Sequence, residues 1–257
     1  SIIEKGVGQL LLEDLFMRAM NKYFGNVRFD LILYSTPPIT FNKVIKAAKR
    51  RNPEAMTYLL LKDIFPQNAV DLGMMTKTGI KGMLYRMFRK KEKELYRISD
   101  YIGCMSPANV RFVLEHNPEV KAEKVEIAPN SYDVPSGDEE TKSQRDEETK
   151  SIREKYGLPT DKPIFIYGGN MGKPQGIPFL VECMRAVKDR EDCHFVIVGD
   201  GTEYPKLEAF VNECRPKAVS VFRRLPKEDY DRLADACDVG LIFLDYRFTI
   251  PNYPSRL

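Results

Sequence analysis

Only two histidines, no C-x-x-C pair and no long apolar run occur in these 257 residues, and each shortage excludes a class of function. His116 follows a helical stretch and precedes Asn117-Pro118, so it reads as a surface or capping residue. His194 opens an apolar strand and reads as packing, so neither carries a catalytic role. The five cysteines, Cys104, Cys183, Cys193, Cys214 and Cys237, are odd in number and unpaired by spacing. They fit reduced thiols in a cytoplasmic protein rather than a disulfide framework, and no zinc or other metal site is expected. No apolar run approaches the roughly 20 residues of a spanning helix, and no signal peptide opens the chain. With 40 basic against 37 acidic residues, the net charge of +3 is too small to argue for nucleic acid as a partner. The chain opens at Ser1 without an initiator methionine, which suggests a fragment.

What is present is an alternation of strand-length apolar runs with helix-period segments, the pattern of a parallel α/β sheet. In the first half it predicts helices at about Gln9–Phe24, Thr40–Arg51, Ile80–Ile98 and Pro107–His116. Strands are predicted at Phe29–Thr36, Met56–Ile64, Tyr101–Ser106 and Val125–Asn130. The second half gives strands at Ile164–Gly168, Phe195–Gly199, Val219–Arg223 and Val239–Leu244. Helices at Ile177–Asp189, Glu203–Cys214 and Lys227–Cys237 lie between or beside them. Runs such as LILY and FVIV are too apolar for a half-solvated strand, so both sheets are expected to be covered on both faces.

Between the halves, DEETKS occurs at Asp138–Ser143 and again at Asp146–Ser151. This stretch buries no apolar face before Ile152 and reads as a solvated linker whose later part runs into a helix. The expected division is therefore residues 1–133, a charged linker over 134–151, and residues 152–257.

The run Pro163–Gly176, PIFIYGGNMGKPQG, carries most of the chemistry. A short strand opens into glycines around one lysine and then into a helix, which places backbone N–H groups, a helix N-terminus and a cation around a phosphate. It is not a Walker A loop: Gly168 to Gly172 is one residue too short, and Pro174 stands where Ser or Thr is needed. A G-x-G-x-x-G fingerprint is also absent. An anionic ligand, a nucleotide diphosphate, above Gly169 and Lys173 is one reading. A tight turn with a solvated lysine is the other, and the loop alone leaves both open.

The order of several segments carries a resemblance. KVEIAPNSYD, PIFIYGGNMGKPQGI, HFVIVGDGTEYPKLE, VSVFRRLPKEDYDRLADACDVGLIFL and the closing NYPSRL resemble the nucleotide-sugar domain of family 4 glycosyltransferases. The likeness is nearest to bacterial polysaccharide-assembly amino-sugar transferases of capsule, O-antigen or colanic-acid type. FDLILYSTPPITF, YLLLKDIFPQNAVDLGM and YIGCMSPANVRFVLEHNP are similar to the acceptor-side domain of the same enzymes.

The resemblance implies a GT-B-like α/β fold, two Rossmann-like parallel-sheet domains facing across a cleft, both incomplete here. It implies a retaining transferase that moves a sugar from a UDP- or GDP-sugar to a polyprenyl-diphosphate-linked or saccharide acceptor. On the donor side it places Gly168, Gly169, Asn170 and Lys173 by the diphosphate and Gly199, Asp200 and Gly201 beneath the nucleotide. Arg223, Arg224 and Leu225 would border the base, with Tyr253 and Ser255 near sugar and phosphate. Many members carry an Arg in the glycine loop and a Lys just before the helix glycine, where this chain has Asn170 and Gln175. The family would also supply a strand and glycine-rich loop before Ser1 and a glutamate-bearing helix after Leu257. The chain as given is thus expected to bind donor weakly and to turn over nothing. A non-catalytic nucleotide-binding or interaction module is the alternative.

On the acceptor side, Asp63 ends an apolar strand, where a carboxylate can act on an acceptor hydroxyl. A solvated strand-end aspartate reads the same way. Lys62, Gln67 and Asn68 share its loop and join it as candidates. Ser106 as N-cap before Pro107 explains that helix start without a function. Finally, Lys77–Arg97 is rich in Lys and Arg, with Ile80, Leu84, Met87, Phe88 and Leu95 at helical spacing. It reads as a basic amphipathic helix able to lie on the cytoplasmic face of an anionic membrane, or as an ordinary domain helix with its basic side in water.

Overall fold

A computed structural model of the chain describes residues 2–131 and 142–250. Two compact units result: residues 2–131 together with 247–250, and residues 142–246.

In the first unit, α1 (Ile2–Tyr23) leads into β1 (Leu31–Thr36), α2 (Asn42–Arg51), β2 (Met56–Leu61), α3 (Gln67–Asp71) and α4 (Gly79–Ile98). β3 (Tyr101–Cys104), α5 (Pro107–His116), a 3₁₀ turn (Ala122–Lys124) and β4 (Val125–Ile127) complete it. The strands are parallel in the order β1-β2-β3-β4, with Leu33 opposite Tyr58 and Tyr58 opposite Tyr101. Ser106 caps α5 as the sequence suggests, its Oγ accepting from Asn109 N at 3.1 Å.

The expectation that both faces of this sheet are covered does not hold. Each crossover moves one strand onward in the same direction, and right-handed connections then put every connecting helix on one face. That face buries Leu59, Leu61, Ile102, Cys104 and Val113. On the other, Leu31, Leu33, Met56 and Tyr101 stay exposed, Leu33 by 56%. Apolar content thus told that these strands resist water but not how many layers cover them.

The second unit holds α6 (Lys142–Lys155), β5 (Ile164–Asn170), a 3₁₀ turn (Lys173–Gln175), α7 (Ile177–Val187), β6 (His194–Asp200) and α8 (Tyr204–Cys214). β7 (Val219–Phe222), α9 (Lys227–Asp235) and β8 (Val239–Gly240) follow. The parallel order is β7-β6-β5-β8. Here the winding reverses: β5 to β7 step one way, and the connection from β7 returns past them to β8. Helices therefore cover both faces. One core joins Ile177, Leu180, Leu207 and Phe210 to Ile197, and the other joins Leu158 and Leu233 to Ile164, Val196 and Val198. Each fully buried aliphatic side chain contributes on the order of 1.5–3 kcal/mol.

One boundary follows expectation and one differs. α6 starts at Lys142, in the later part of the stretch expected to run into a helix, and the first DEETKS copy lies largely outside the described residues. What holds the helix is Arg153. Its guanidinium donates to Ala236 O at 2.8 Å, Lys162 O at 3.1 Å and Asp238 Oδ2 at 2.9 Å. The strand expected over Val239–Leu244 pairs only at Val239–Gly240. Leu241 N still donates to Ile166 O, and the chain then turns so that Asp245 N reaches Pro174 O at 2.9 Å. All five cysteines are free, with Cys104 and Cys193 buried.

Candidate functional site

In an open α/β sheet, ligands bind beyond the carboxyl ends of the strands where the winding reverses. In the second unit the reversal lies between β5 and β8, and the end of β5 is Gly168-Gly169-Asn170. β6 ends beside it in register, Gly169 opposite Gly199 and Asn170 opposite Asp200.

Backbone hydrogen bonds zip these two ends together. Met171 N donates to Asp200 O at 2.9 Å, and Glu203 N donates to Met171 O at 2.8 Å. The fit leaves no room for side chains: a Cβ on Gly199 would overlap the Gly169 carbonyl, and one on Gly201 would come within 2.5 Å of Met171 O. A Cβ on Gly168 would strike the Tyr230 ring of α9. Beyond β5, Gln175 Oε1 accepts from Gly172 N at 3.1 Å and from Asn170 Nδ2 at 3.4 Å, so one amide gathers the loop. Gly176, at φ 62°, turns the chain into α7, with the Asp245 backbone packed against it.

The predicted donor residues fall as follows. Gly168, Gly169, Asn170, Gly199, Asp200 and Gly201 form one backbone cradle. Lys173 sits in the 3₁₀ turn on the way to α7, exposed, and no partner of its side chain is found among the described residues. Arg223 follows β7 and is engaged: Nη2 donates to Glu208 Oε1 at 2.6 Å, Nη1 lies 3.8 Å from Asp200 Oδ1, and the guanidinium covers the Tyr204 ring at 4.5 Å. Arg224 is exposed, whereas Leu225 packs on the core under α9. Tyr253 and Ser255 lie outside the described residues. His194 packs as expected, with Nε2 at 2.8 Å from Ser220 Oγ, and burial lowers its pKa. His116 is exposed and stacked on Phe112.

The acceptor-side candidates cluster in the first unit at the ends of β1 and β2. Thr36 Oγ1 donates to Asp63 O at 3.0 Å. Burial raises the Asp63 carboxyl above the usual carboxylate range, and no charge partner offsets it. Asn68 Oδ1 is buried without a hydrogen bond, a group that wants a donor. Gln67 Nε2 donates to Asp71 Oδ1 at 2.6 Å, and Asp71 Oδ2 accepts from Thr249 N and Oγ1 at 2.9 and 2.8 Å. Lys62 is exposed.

Sequence reasoning missed Tyr230 and Asp71. Asp71 stands four residues after Gln67, a helical pairing distance that was available as a signal. The close approach of Tyr230 to Gly168 and of Asp245 to Pro174 has no local signature.

A doubly wound sheet with a glycine cradle at its winding reversal, and a lysine whose side chain has no partner among the described residues, is an arrangement able to hold a phosphorylated ligand. Residues 148–243 match the family described as glycosyl transferases group 1. It is similar to a probable glycosyltransferase, WbjE, of Pseudomonas aeruginosa, 27% identical over 203 residues, covering 77% of this chain and 46% of WbjE. A putative colanic acid biosynthesis glycosyl transferase of Escherichia coli, WcaI, is 25% identical over 186 residues, 72% of this chain and 43% of that protein. Among solved structures, HepE of Anabaena in complex with UDP-glucose aligns with a TM-score of 0.59 at 14% identity, over 89% of this chain and 55% of HepE. The fold is that of the GT-B glycosyltransferases. The chain spans about half the length of the curated relatives it matches.

Proposed function

We propose that this chain is part of a retaining glycosyltransferase of bacterial surface polysaccharide assembly, which takes a sugar from a UDP-sugar and passes it to a lipid-linked or saccharide hydroxyl. The observation that carries the reading is the loop at the β5–β8 reversal, where glycines let the two strand ends close together and the exposed Lys173 has no counter-charge among the described residues. The UDP-glucose bound by HepE favours uridine over guanosine as the base.

Sugar transfer leaves negative charge on the departing diphosphate. Lys173 and the N-terminus of α7 would supply fixed positive potential there, which lowers the barrier because the charge develops only in the transition state. Asp63, whose carboxyl already holds its proton more tightly than an ordinary aspartate, would accept a hydrogen bond or proton from the acceptor hydroxyl. Asn68 Oδ1 is a free acceptor beside it. α4 would hold the protein at the cytoplasmic face of the membrane, where a polyprenyl-diphosphate acceptor resides.

The test is ligand-observed NMR of the chain with UDP, GDP, ADP and their sugars. UDP is expected to bind selectively, and Lys173→Ala to weaken it by about ten-fold, the worth of one charge-assisted hydrogen bond. Equal binding of all three diphosphates, or no loss with Lys173→Ala, refutes this use of the loop. Absence of binding with the fold intact refutes the loop as a donor site sufficient by itself.

A further inference from the structure

Away from both strand-end sites, the first unit has an open cleft of about 610 Å³ between α4 and the segment Glu119–Lys124. Seven of its eleven lining residues are Arg or Lys and two are Glu. Both carboxylates are occupied: Glu94 by Lys46 and Arg97, and Glu119 by Lys93 at 3.0 Å. Arg86, Lys90, Lys93 and Arg97 recur along one side of α4, a stripe about 16 Å long at 1.5 Å per residue. Arg86 and Lys90 stand one turn apart with no ion pair or side-chain hydrogen bond among the described residues, a like-charge pair that is unfavourable unless an anion joins it.

The floor is rigid. Tyr96 Oη donates to Glu92 Oε1 at 2.7 Å, Arg89 Nη1 to Glu92 Oε2 at 2.6 Å, and Arg89 Nη2 to Asn117 Oδ1 at 2.6 Å, which locks α4 to the end of α5. The opposite wall adds Lys121 and Lys124, cations from a different segment of chain. Beside the stripe, the first half of α4 leaves Met83, Leu84 and Met87 in solvent, Met83 by 66%. Flexible apolar side chains next to a cationic groove match a bilayer, whose headgroups are anionic and whose interior is apolar. They do not match single-stranded nucleic acid, which asks for aromatic platforms.

We propose that this cleft binds the phosphate headgroups of an anionic bilayer, with the cations of both walls on the phosphates and Met83, Leu84 and Met87 entering the acyl boundary. It rests on the reading of α4 as the membrane-facing element and is independent of the donor loop. The reading of α4 alone needs only one helix face, whereas the cleft also requires Lys121 on the far wall.

Vesicle flotation distinguishes them. The chain is expected to float with phosphatidylcholine vesicles containing phosphatidylglycerol and not with phosphatidylcholine alone, and inorganic pyrophosphate is expected to compete. Arg86→Ala with Lys90→Ala removes two charges and should weaken binding about thirty-fold, roughly five-fold per cation. Lys121→Glu also changes the charge by two and should match it, whereas Lys227→Glu in the other unit should change binding by less than about two-fold. Equal losses from Lys121→Glu and Lys227→Glu overturn the cleft and leave α4 as a face that senses net charge. No flotation with anionic vesicles, by a chain folded by circular dichroism, overturns both. Loss of pyrophosphate binding in Lys121→Glu with vesicle flotation unchanged assigns the cleft to a soluble phosphate compound and overturns the lipid assignment.

Discussion

Replacing Arg153 by Met tests whether α6 is an integral part of the second unit. The arginine is 7% exposed and makes three hydrogen bonds to groups that lie beyond α6. Methionine keeps much of the apolar stem, so the loss isolates the guanidinium. Two carbonyls, Ala236 O and Lys162 O, lose their donor, at about 1 kcal/mol each. The pair with Asp238 counts for less, about 0.5–1 kcal/mol, because that carboxylate is 48% exposed and keeps its bond from Ile164 N. The sum is about 3 kcal/mol. For a unit of roughly 100 residues, each kcal/mol lowers the melting temperature by about 4–8 °C, so the drop is about 12–24 °C. Urea unfolding followed by circular dichroism measures it. A loss under about 1 kcal/mol would refute the reasoning and make α6 a decoration on the sheet.

Other outcomes follow from the same geometry. Gly199→Ala drives a methyl into the Gly169 carbonyl and should cost about 1–3 kcal/mol while abolishing UDP binding, measured by denaturation and NMR together. Asp63 carries a pKa raised by burial, so the folded state binds its proton more tightly than the unfolded one. Stability is then highest below the unfolded value near about 3.9 and is lost as pH rises through the folded value. Asp63→Asn should accordingly raise the melting temperature at pH 7 and leave it unchanged near pH 3; a fall at pH 7 would show that the carboxylate is stabilising. The Cys104 thiol, buried and pushed up to about 12, should resist iodoacetamide until urea unfolds the first unit, with mass spectrometry of labelled peptides as the readout.

Much of this was legible from residue pattern. Pro107–His116 was placed to the residue because Ser106 and Pro107 announce the start and Asn117-Pro118 the stop. The meeting of the glycine turns at the carboxyl edge of the second sheet was legible because Gly168, Gly169, Gly199 and Gly201 end apolar runs. The open face of the first sheet was not, since Leu31 and Leu33 look alike whether a helix covers them or not; only strand order decides that. α3 escaped notice because five residues cannot display a helical period. The Tyr230 contact escaped because that ring meets Gly168 from far along the chain, with no local signature.

The hydrogen bonds that fix the loop after β5 to its neighbours, Met171 to Asp200, Glu203 to Met171 and Asp245 to Pro174, run from backbone to backbone. A cradle drawn by main chain keeps its outline when the exposed side chains at Asn170 and Lys173 are exchanged, so long as the glycines and the Gln175 amide remain. The chemistry this loop presents can therefore be rewritten at those two positions without renegotiating the fold, which makes it a lock whose wards can be recut while its casing stays the same.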